Sequence, residues 1–468
     1  MLARPEQTTA DITFRNSIKV GEFLIALFQT FNQQGVRYCV LHSYDGLPHY
    51  APSDVDMAVA SGDLGRVESI IFQTALTLGF RVVQKLYYDV PMCFFYVIVF
   101  RDDNGEPGYV QLDLLTDDSG VGRYLLDTET LLGGRRPLCG FWIPSLPVEA
   151  CYLLIKKVVK GILLPEHERK LNDIYRQDPE AVEHFLKRVF GTGNLGIIKD
   201  LIAGRDEATK RILIGKLKNT LFLRYTLLKP HRVFMKALWL VKRVIERVTS
   251  PTGLIVAFVS PDGGGKSTVA DNILRRLRFA FRNSTRIHWR PYLLPPPRKL
   301  FTPHKWREPE QPNYEPHSKP PAGTLNSTFR FIYYFLDYVL GFIPKVLWPK
   351  IRTHLVVIER YYYDFLIDTK RYRLNISAML PKILLKAVPK PDLLFLLSGR
   401  PESIHQRKQE IGLDEIKRQL CVINEIAGKI PNAHIINVDQ SLEDEIIQVE
   451  DIILDTLQKR LLKRVGRS

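Results

Sequence analysis

A glycine-rich segment between an apolar and an amphipathic stretch holds the residue types best suited to binding phosphate. SPDGGGKST covers residues 260–268, after the apolar run GLIVAFV (253–259) and before VADNILRRL (269–277). In a strand–loop–helix turn, successive backbone N–H groups and the helix N-terminus point at phosphate oxygens. We therefore predict that Lys266 reaches the β- and γ-phosphates of ATP and that the Ser267 hydroxyl binds Mg²⁺.

The rest of the loop contributes to this predicted nucleotide site. Its glycines let the backbone approach a phosphate closely, because they carry no side chain. Ser260 stands where loops of this type usually have their first glycine, while GGGKST is intact. A glycine-rich turn that binds nothing is the alternative, and the flanking strand and helix argue against it. The residues predicted to bind the nucleotide are Asp262, Gly263, Gly264, Gly265, Lys266, Ser267 and Thr268.

The loop and a later segment resemble the thymidylate kinases. SPDGGGKST resembles the phosphate loop of that family, and ERYYYD (359–364) is similar to its Asp-Arg-Tyr motif. The resemblance implies that Glu359 helps to organise Mg²⁺ and that Arg360 holds the phosphate of the acceptor. Both residues follow an apolar run, at the end of a strand where folds of this kind bind ligands.

A third segment, GRPESIHQRKQE (399–410), is similar to the lid of the same family. The resemblance implies that a basic residue, Arg407 or Lys408, closes over the transferring phosphoryl group. These residue types suit phosphoryl transfer, since the protein mainly positions the substrates and neutralises charge with a lysine, a metal ion and arginines. For Arg407 and Lys408 the alternative is a solvated helix face.

The acceptor is less well defined than the donor. Thymidylate kinases read the base with a Ser-x-x-Ala-Tyr-Gln stretch, and this chain has DFLIDTKRYR (364–373) instead. The loop that begins HWRPYLLPPP, within the proline-rich stretch 291–323, is also longer than in that family. The resemblance therefore does not identify thymidylate as the acceptor, and we expect a phosphorylated small molecule.

The C-terminal half alternates apolar runs with helical segments. The runs, at residues 253–259, 286–289, 354–359, 392–398 and 434–438, are rich in aliphatic residues. This alternation is typical of a parallel sheet covered by helices on both faces. We predict an α/β domain with a five-stranded parallel sheet.

Acidic residues in the N-terminal part indicate a second site. Asp54 and Asp56 are two residues apart in a predicted strand, so their side chains share one face, and Asp113 lies in a later predicted strand. With Ser43 before them, the three acids resemble the nucleotidyltransferase superfamily, whose carboxylates bind Mg²⁺ to orient a nucleoside triphosphate. His42-Ser43 replaces that family's Gly-Ser or Gly-Gly. The alternatives are a metal site without nucleotidyl transfer and a solvated strand end.

The pattern around these acids predicts an α+β domain. Strands are expected at 36–41, 54–59, 93–100 and 109–115, with helices at 18–34 and 64–80. We predict a nucleotidyltransferase-like domain at residues 1–164, a helical connector at 165–248 and a thymidylate kinase-like P-loop domain at 249–468. The whole chain is similar to two-domain proteins of bacterial polysaccharide gene clusters.

Composition restricts the location and the partners. The 468 residues carry a formal net charge of +16, which favours an anionic partner, and the five cysteines show no metal-ligand spacing. The N-terminus lacks the features of a signal peptide, so a cytoplasmic protein is expected. We predict that residues 331–348 form a buried helix, because Asp337 and Pro344 interrupt the run, with a membrane span as the alternative.

Two classes of function remain open. The first is an enzyme with two nucleotide-handling sites, a kinase domain that uses ATP and Mg²⁺ and a nucleotidyltransferase-like domain, acting on nucleotide or sugar precursors of a surface glycan. The second is a nucleotide-gated binding or scaffold protein at the membrane surface. The basic amphipathic stretch 224–248 suits peripheral membrane contact or packing between domains. A nucleic-acid partner is not expected, and a homodimer is compatible with the sequence.

Overall fold

The computed structural model describes residues 18–51, 53–88, 92–102, 105–118, 125–227, 230–297 and 320–466. The chain divides into two compact units, an N-terminal unit of Met1–Ile245 and a C-terminal unit of Glu246–Ser468. Most of the proline-rich loop predicted at 291–323, residues 298–319, lies outside the described residues.

The N-terminal unit contains a mixed five-stranded sheet. Its strands are β1 (Tyr38–Val40), β2 (Val55–Val59), β3 (Arg81–Tyr87), β4 (Cys93–Arg101) and β5 (Pro107–Leu115). They are arranged in the order β1-β2-β5-β4-β3, and β2 and β5 are the parallel neighbours. The predicted strands are therefore present, and the parallel pair sets Asp56 beside Asp113.

The sequence analysis missed β3 and a hairpin. β3 includes Gln84 and Lys85, which interrupt its apolar pattern, and a register shift lies between Val82 and Gln84. Gln84 is nevertheless buried. The hairpin pairs β6 (Arg136–Leu138) with β7 (Phe141–Ile143), and each strand has three residues, too few to show a period.

Helices of the N-terminal unit extend its core well past the sheet. Residues on β1, such as Cys39, share one hydrophobic cluster with Cys151, Phe190 and Leu217 from later helices. The segment predicted as a helical connector thus packs, up to Leu221, in the same core as the sheet. The helices are α1 (Ile18–Gln33), α2 (Leu64–Thr77), α3 (Thr128–Leu132), α4 (Leu146–Lys160), α5 (Pro165–Gln177), α6 (Pro179–Phe190), α7 (Leu195–Ile202) and α8 (Glu207–Phe222). A further helix, α9 (Pro230–Thr249), contains the boundary between the two units.

The C-terminal unit confirms the predicted five-stranded parallel sheet. Its strands are β8 (Leu254–Val259), β9 (Asn283–His288), β10 (His354–Glu359), β11 (Leu393–Ser398) and β12 (Ala433–Asn437). Their order is β12-β11-β8-β10-β9, and the neighbours are parallel. β8 is buried along its whole length, as expected for a central strand covered on both faces.

Helices surround this sheet and place the ends of β8 and β10 side by side. They are α10 (Lys266–Arg276), α11 (Thr324–Phe342), α12 (Trp348–Ile351), α13 (Asp364–Ile367), α14 (Met379–Leu384), α15 (Pro401–Arg407), α16 (Leu413–Ala427) and α17 (Leu442–Arg464). Since the strands are parallel, their carboxyl ends lie at one edge of the sheet. This edge carries the phosphate loop after β8 and the Glu359–Arg360 pair at the end of β10.

The apolar run predicted as a buried helix is only half buried. One face of α11 packs inward through Phe331, Tyr334 and Tyr338, whereas Phe329 and Leu340 are exposed on the outside. In the described part of the chain, Thr324–Ile351 is the one helical run long and apolar enough to cross a membrane, and 33% of its most apolar window is buried. The difference from the prediction arises because the run is apolar on both faces, so hydropathy alone does not reveal which face packs.

Candidate functional site

The loop between β8 and α10 has a backbone that only glycine accommodates well. Gly263 and Gly265 have φ values of +88° and +79°, in the left-handed region that favours glycine. A Cβ on Gly264 would lie 2.4 Å from Ser260 Oγ. Ser260, the departure from the usual glycine, therefore fits because Gly264 leaves room for its hydroxyl. The loop delivers the chain into the N-terminus of α10, whose first amides have no partner within the helix.

Lys266 is buried and folded onto its own loop. Its Nζ donates to the carbonyl oxygens of Ser260 and Pro261, both at 2.9 Å, and lies 3.0 Å from Ser260 Oγ. Burial, together with the nearby charge of Arg360, lowers the pKa of the ammonium to about 8. The lysine thus links both ends of the loop through hydrogen bonds to carbonyl oxygens. Phosphate oxygens could take the place of these acceptors.

Glu359, the last residue of β10, is hydrogen-bonded to the first turn of α10. Ser267 Oγ donates a 2.6 Å hydrogen bond to Glu359 Oε2, and Arg286 Nε donates a 2.7 Å hydrogen bond to Glu359 Oε1. Burial alone would raise the pKa of the Glu359 carboxyl, but hydrogen bonds from His288, Ser267 and Arg286 outweigh it and lower the pKa to about 2. Glu359 is therefore a carboxylate at neutral pH.

The pair Ser267 and Glu359 fits Mg²⁺. A hydroxyl and an ionised carboxylate are hard oxygen donors, and their 2.6 Å separation brings both to one point beside the loop. Mg²⁺ commonly uses one or two protein ligands and completes its shell with phosphate oxygens and water. A Mg²⁺ ion held by these two residues would supply positive charge to neutralise phosphate oxygens during phosphoryl transfer.

Arg360 follows β10 and points to the phosphate loop. Its φ of +70° is unusual for a residue with a side chain, and its backbone N donates a 2.8 Å hydrogen bond to the Phe258 carbonyl. The guanidinium donates to Asp262 Oδ1 at 2.5 Å and lies 3.6 Å from Asp364 Oδ2. Burial would lower the pKa of Arg360, but Asp364 and Asp262 outweigh it and raise the pKa.

Asp262 lies at the centre of a charged cluster. Besides Arg360, its carboxylate accepts a hydrogen bond from Arg371 and lies 3.9 Å from Lys266 Nζ. Burial would raise the pKa of Asp262, but Lys266, Arg360 and Arg371 outweigh it and hold the pKa well below its usual value. The side chain predicted as a nucleotide ligand is thus bound to the basic residues around it.

The segment predicted as a lid lies against the loop. A Cβ on Gly263 would meet the Ile404 carbonyl oxygen at 2.7 Å and the Lys408 Cβ at 3.1 Å. The charged groups of the two predicted lid residues are bound elsewhere: Arg407 donates to the Val438 carbonyl at 2.5 Å, and Lys408 pairs with Glu410 at 2.9 Å. The structure therefore brings the backbone of the lid to the loop. The predicted closure over phosphate would need both side chains to change partners.

Several residues of this site escaped the sequence analysis. Arg286 alternates with His288 on β9, so both face Glu359, and this spacing of two was the available signal. Arg371 lies on a short helical turn of Lys370–Tyr372, where no motif marks it. Trp289 was predicted to end the second strand, but β9 ends at His288 and Trp289 has a φ of +74°. This turn packs the indole on Tyr372, with ring centroids 4.6 Å apart.

The acidic site of the N-terminal unit is built on the parallel pair β2 and β5. Asp56 and Asp113 are register partners, and Asp54 lies directly before β2. Gln111 Nε2 donates to Asp113 Oδ1 at 2.6 Å, and the Tyr88 hydroxyl donates to Asp113 Oδ2. Burial, followed by the charges of Asp56 and Asp54, raises the pKa of Asp113 well above its usual value.

Two basic side chains also lie close to Asp56. His42 Nε2 lies 2.6 Å and Lys156 Nζ 3.5 Å from Asp56 Oδ2, while Ser43 Oγ is 2.6 Å from His42 Nδ1. Ser43, the second residue of the pair that replaces Gly-Ser or Gly-Gly, has a φ of +55° and thus a strained backbone. Within the residues that the structure describes, no group of three or more His, Cys, Asp or Glu side chains is arranged to hold a metal ion. The mutual repulsion of the three acids is the feature that a dication would relieve.

Comparison with known proteins adds little to this geometry. No family model and no curated protein match the chain. Among solved structures, the crystal structure of thymidylate kinase from Ehrlichia chaffeensis is similar over 43% of this chain and 98% of its own, with 15% identity and a TM-score of 0.29. A likeness of this extent carries no argument about function, which must come from the site itself.

Proposed function

We propose that the C-terminal unit is an ATP- and Mg²⁺-dependent phosphotransferase of the nucleoside-monophosphate kinase type. In this proposal it transfers the γ-phosphoryl group of ATP to a phosphorylated acceptor. The observation that carries it is the hydrogen bond between Ser267 and Glu359 at the edge where the phosphate loop meets β10. A loop that merely turned the chain would not need an ionised, buried carboxylate held against the first helical turn.

Each residue of the site has a part in this reaction. The loop amides and Lys266 hold the β- and γ-phosphates, and Ser267 and Glu359 bind Mg²⁺. Arg360 holds the acceptor phosphate, and because Arg360 and Lys266 both lie beside Asp262 Oδ1, at 2.5 and 3.9 Å, the acceptor phosphate would lie next to the donor phosphates. Arg407 and Lys408 close over the transferring group. Positioning and charge neutralisation are sufficient roles, because this transition state requires no protein nucleophile.

Arg360→Lys tests the acceptor side of the proposal. Lysine keeps the charge but not the two-pronged geometry with which a guanidinium grips a phosphate. We expect a loss of about 2 kcal/mol, or roughly thirtyfold in kcat/KM for the acceptor. The KM for ATP should change less than about threefold, since the loop holds the donor. Equal losses for ATP and acceptor would place Arg360 in the donor site and remove the argument for a phosphorylated acceptor.

An acceptor screen must come first. ADP release should be followed with ATP and Mg²⁺ against nucleoside monophosphates, free sugars and sugar phosphates. An acceptor-dependent rate supports the kinase, whereas slow hydrolysis that no acceptor accelerates supports the scaffold. We propose a cytoplasmic reaction on precursors of a surface polysaccharide, without a nucleic-acid partner, and the active species is either a monomer or a homodimer.

For the N-terminal unit we propose a nucleotidyltransferase-like role that depends on Mg²⁺. Asp54, Asp56 and Asp113 would hold the ion and Ser43 the triphosphate. The support is the burial of Asp113 beside its register partner Asp56, since buried acids placed together cost stability unless a cation or a proton is bound. Two Mg²⁺-dependent nucleotide sites per full chain in calorimetric titration, reduced to one by Asp113→Asn, would fit this role.

The second candidate function is a nucleotide-gated scaffold at the membrane surface. Its supporting observation is α9, where apolar side chains are exposed next to cationic ones such as Lys236 and Lys242. The exposed apolar residues are Val233, Phe234, Met235, Leu238, Leu240, Val241, Val244, Ile245 and Val248. Sedimentation with anionic vesicles, compared between the wild type and Leu238→Glu, tests this role. Equal sedimentation of the two proteins would rule out α9 as the contact.

A further inference from the structure

The Asp262 carboxylate is shared by three basic side chains. Asp262 is 5% exposed, and its carboxylate meets two guanidinium groups and one ammonium. Two further acids lie nearby: Asp364, 3.6 Å from Arg360, and Asp368, which accepts from the Arg371 backbone N–H and is 4% exposed. Three cations that share one carboxylate are nevertheless a site where an anionic ligand can bind in exchange for Asp262.

Two buried donors in this region have no acceptor. Arg360 is 8% exposed, and its Nε is buried without a hydrogen-bond partner among the described residues. The same holds for Trp289 Nε1 in the described part of the chain. Tyr372 links the two side chains, because it stacks on Trp289 and donates its hydroxyl to Asp364, the acid 3.6 Å from Arg360. Buried donors are almost always paired in native proteins, so these two indicate a ligand with oxygen acceptors.

We propose that Arg371 is a second arginine of the acceptor site and that the acceptor is a sugar phosphate bound without stacking of a nucleobase. This inference rests on the proposed kinase function and names its substrate class. Arg371 is 18% exposed and shares Asp262 with Arg360, so its guanidinium lies next to the residue proposed to hold the acceptor phosphate. An arriving phosphate dianion takes both guanidinium groups from Asp262, because it offers more acceptor oxygens and more charge.

The aromatic residues around Trp289 pack on one another, so they do not serve as a stacking surface for the nucleobase of an acceptor. One face of the indole stacks on Tyr372 at 4.6 Å and 12°, and the ring of Tyr334 meets it at 4.9 Å and 68°. Tyr372 also packs on Phe365, which is fully buried. The rings in this described cluster thus cover one another and hold the loop structure together. The indole N–H remains as a donor, which suits a hydroxyl of a sugar.

Phosphate binding by the full chain tests this site before the natural acceptor is known. With Mg²⁺ and a non-hydrolysable ATP analogue at saturation, the donor site is filled, and calorimetric titration of inorganic phosphate reports the acceptor site. Arg371→Ala should weaken phosphate binding at least tenfold, with Arg371→Lys in between. Arg373→Ala is the matched control, because its Nε binds the Pro320 carbonyl, and it should change binding less than twofold.

Asp262→Asn separates a ligand role from a structural one. It removes the anion that competes for both arginines, so phosphate should bind more tightly than in the wild type, opposite to Arg371→Ala. A purely structural ion pair predicts that both variants weaken binding alike, and that result would overturn the proposal. The proposal would also be overturned if the wild-type protein binds the ATP analogue but not phosphate. Failure to bind the ATP analogue would instead contradict the proposed kinase function.

The substrate class is tested by two competitors that share sugar and phosphate. Thymidine 5′-monophosphate and 2-deoxyribose 5-phosphate differ only in the base. We expect their dissociation constants, measured against the same nucleotide-saturated protein, to agree within threefold. Thymidine monophosphate binding more than tenfold tighter would mean that the site reads a base, and the assignment to sugar phosphates would be wrong.

Discussion

Ser267 Oγ and Glu359 Oε2 lie 2.6 Å apart and join the first turn of α10 to the end of β10. Two regions 92 residues apart in sequence thereby meet at one point beside the phosphate loop. Arg286 holds the other carboxylate oxygen from β9, so three elements fix the position of Glu359. The pair is therefore held in place before any ligand binds.

Glu359→Gln should lower Mg²⁺-dependent ATP turnover by roughly 100-fold, the upper range for residues that support a metal ion. The amide keeps the size of the side chain but loses the charge that balances Arg286 and Mg²⁺. Steady-state ADP release at several Mg²⁺ concentrations measures the effect. Glu425→Gln, at an exposed position of α16, is the control and should behave as the wild type. Unchanged turnover in Glu359→Gln would exclude Glu359 from the metal site.

Lys266→Met keeps the aliphatic stem and removes the ammonium. Turnover should fall on the order of 1000-fold, the size of effect seen when a donor to transition-state charge is removed. The melting temperature should fall by only a few degrees, because two loop carbonyls lose their donor while the packing of the stem remains. ADP release and thermal unfolding test the two parts separately. Rapid turnover in a folded variant would contradict the kinase assignment.

Gly263→Ala should disturb the contact between the loop and α15. Alanine at a φ of +88° costs about 1–2 kcal/mol, and its Cβ would lie 2.7 Å from the Ile404 carbonyl oxygen. We expect a higher KM for ATP together with lower stability, measured by initial rates and thermal unfolding. Gly412→Ala is the matched control, since that glycine has an ordinary φ and no atom near an added Cβ. Similar effects of the two substitutions would show that the close approach of Gly263 to Ile404 is not important for ATP binding or stability.

The sequence was sufficient to predict the parts of the site that local spacing defines. The run before Ser260 and the helix after Thr268 mark a strand–loop–helix unit, and the five apolar runs mark five strands. The apolar run 354–359 therefore predicts that Glu359 ends a strand. The strand order does not follow from the sequence: the structure shows that β8 and β10 are parallel neighbours, which brings Ser267 to Glu359.

Contacts that depend on tertiary packing could not be predicted in this way. Arg371 reaches Asp262 from 109 residues away, and no local pattern distinguishes it from Arg373. A family resemblance predicted that Lys408 closes over the phosphoryl group. In the structure its ammonium instead pairs with Glu410, two residues along the chain. The extent of the N-terminal core was missed for a similar reason, since helical periodicity does not tell which partner a helix packs against.

Asp113→Asn should preserve the fold of the N-terminal unit and abolish its Mg²⁺ response. Asparagine keeps the volume of the side chain, and its oxygen still accepts from the Tyr88 hydroxyl, while its NH2 group can donate to the Gln111 amide oxygen once that amide has turned over. Without Mg²⁺ the variant should melt at the same temperature as the wild type or higher, because one of three mutually repelling acids is gone. Thermal unfolding with and without Mg²⁺ and nucleotide measures both effects, and Asp118→Asn, at an exposed position, is the control. An intact Mg²⁺ response would mean that Asp113 is not a ligand.

Glu415 supports the segment that carries Arg371. Glu415 accepts hydrogen bonds from Lys370 Nζ at 3.1 Å and Arg418 NH2 at 2.5 Å, and Arg418 also binds the Ile367 carbonyl. Burial would raise the pKa of Glu415, but Arg418, Gln419 and Lys370 outweigh it and lower the pKa from 4.5 to about 2. The folded state therefore favours the ionised form.

A carboxyl group with a lowered folded-state pKa stabilises the protein above its unfolded pKa and loses this effect as pH falls through the folded value. Glu415→Gln should therefore cost on the order of 2 kcal/mol at pH 7, after allowance for partial solvent screening. Roughly 40% of this difference should be gone at pH 3.5, between the two pKa values. Urea unfolding of the wild type and variant from pH 7 to 3.5 measures the trend. Glu425→Gln on the same helix, whose partner is the exposed Lys429, should show a small and nearly constant difference. A cost for Glu415→Gln that stays constant over this range would show that its hydrogen bonds, and not its charge, stabilise the segment beside Arg371.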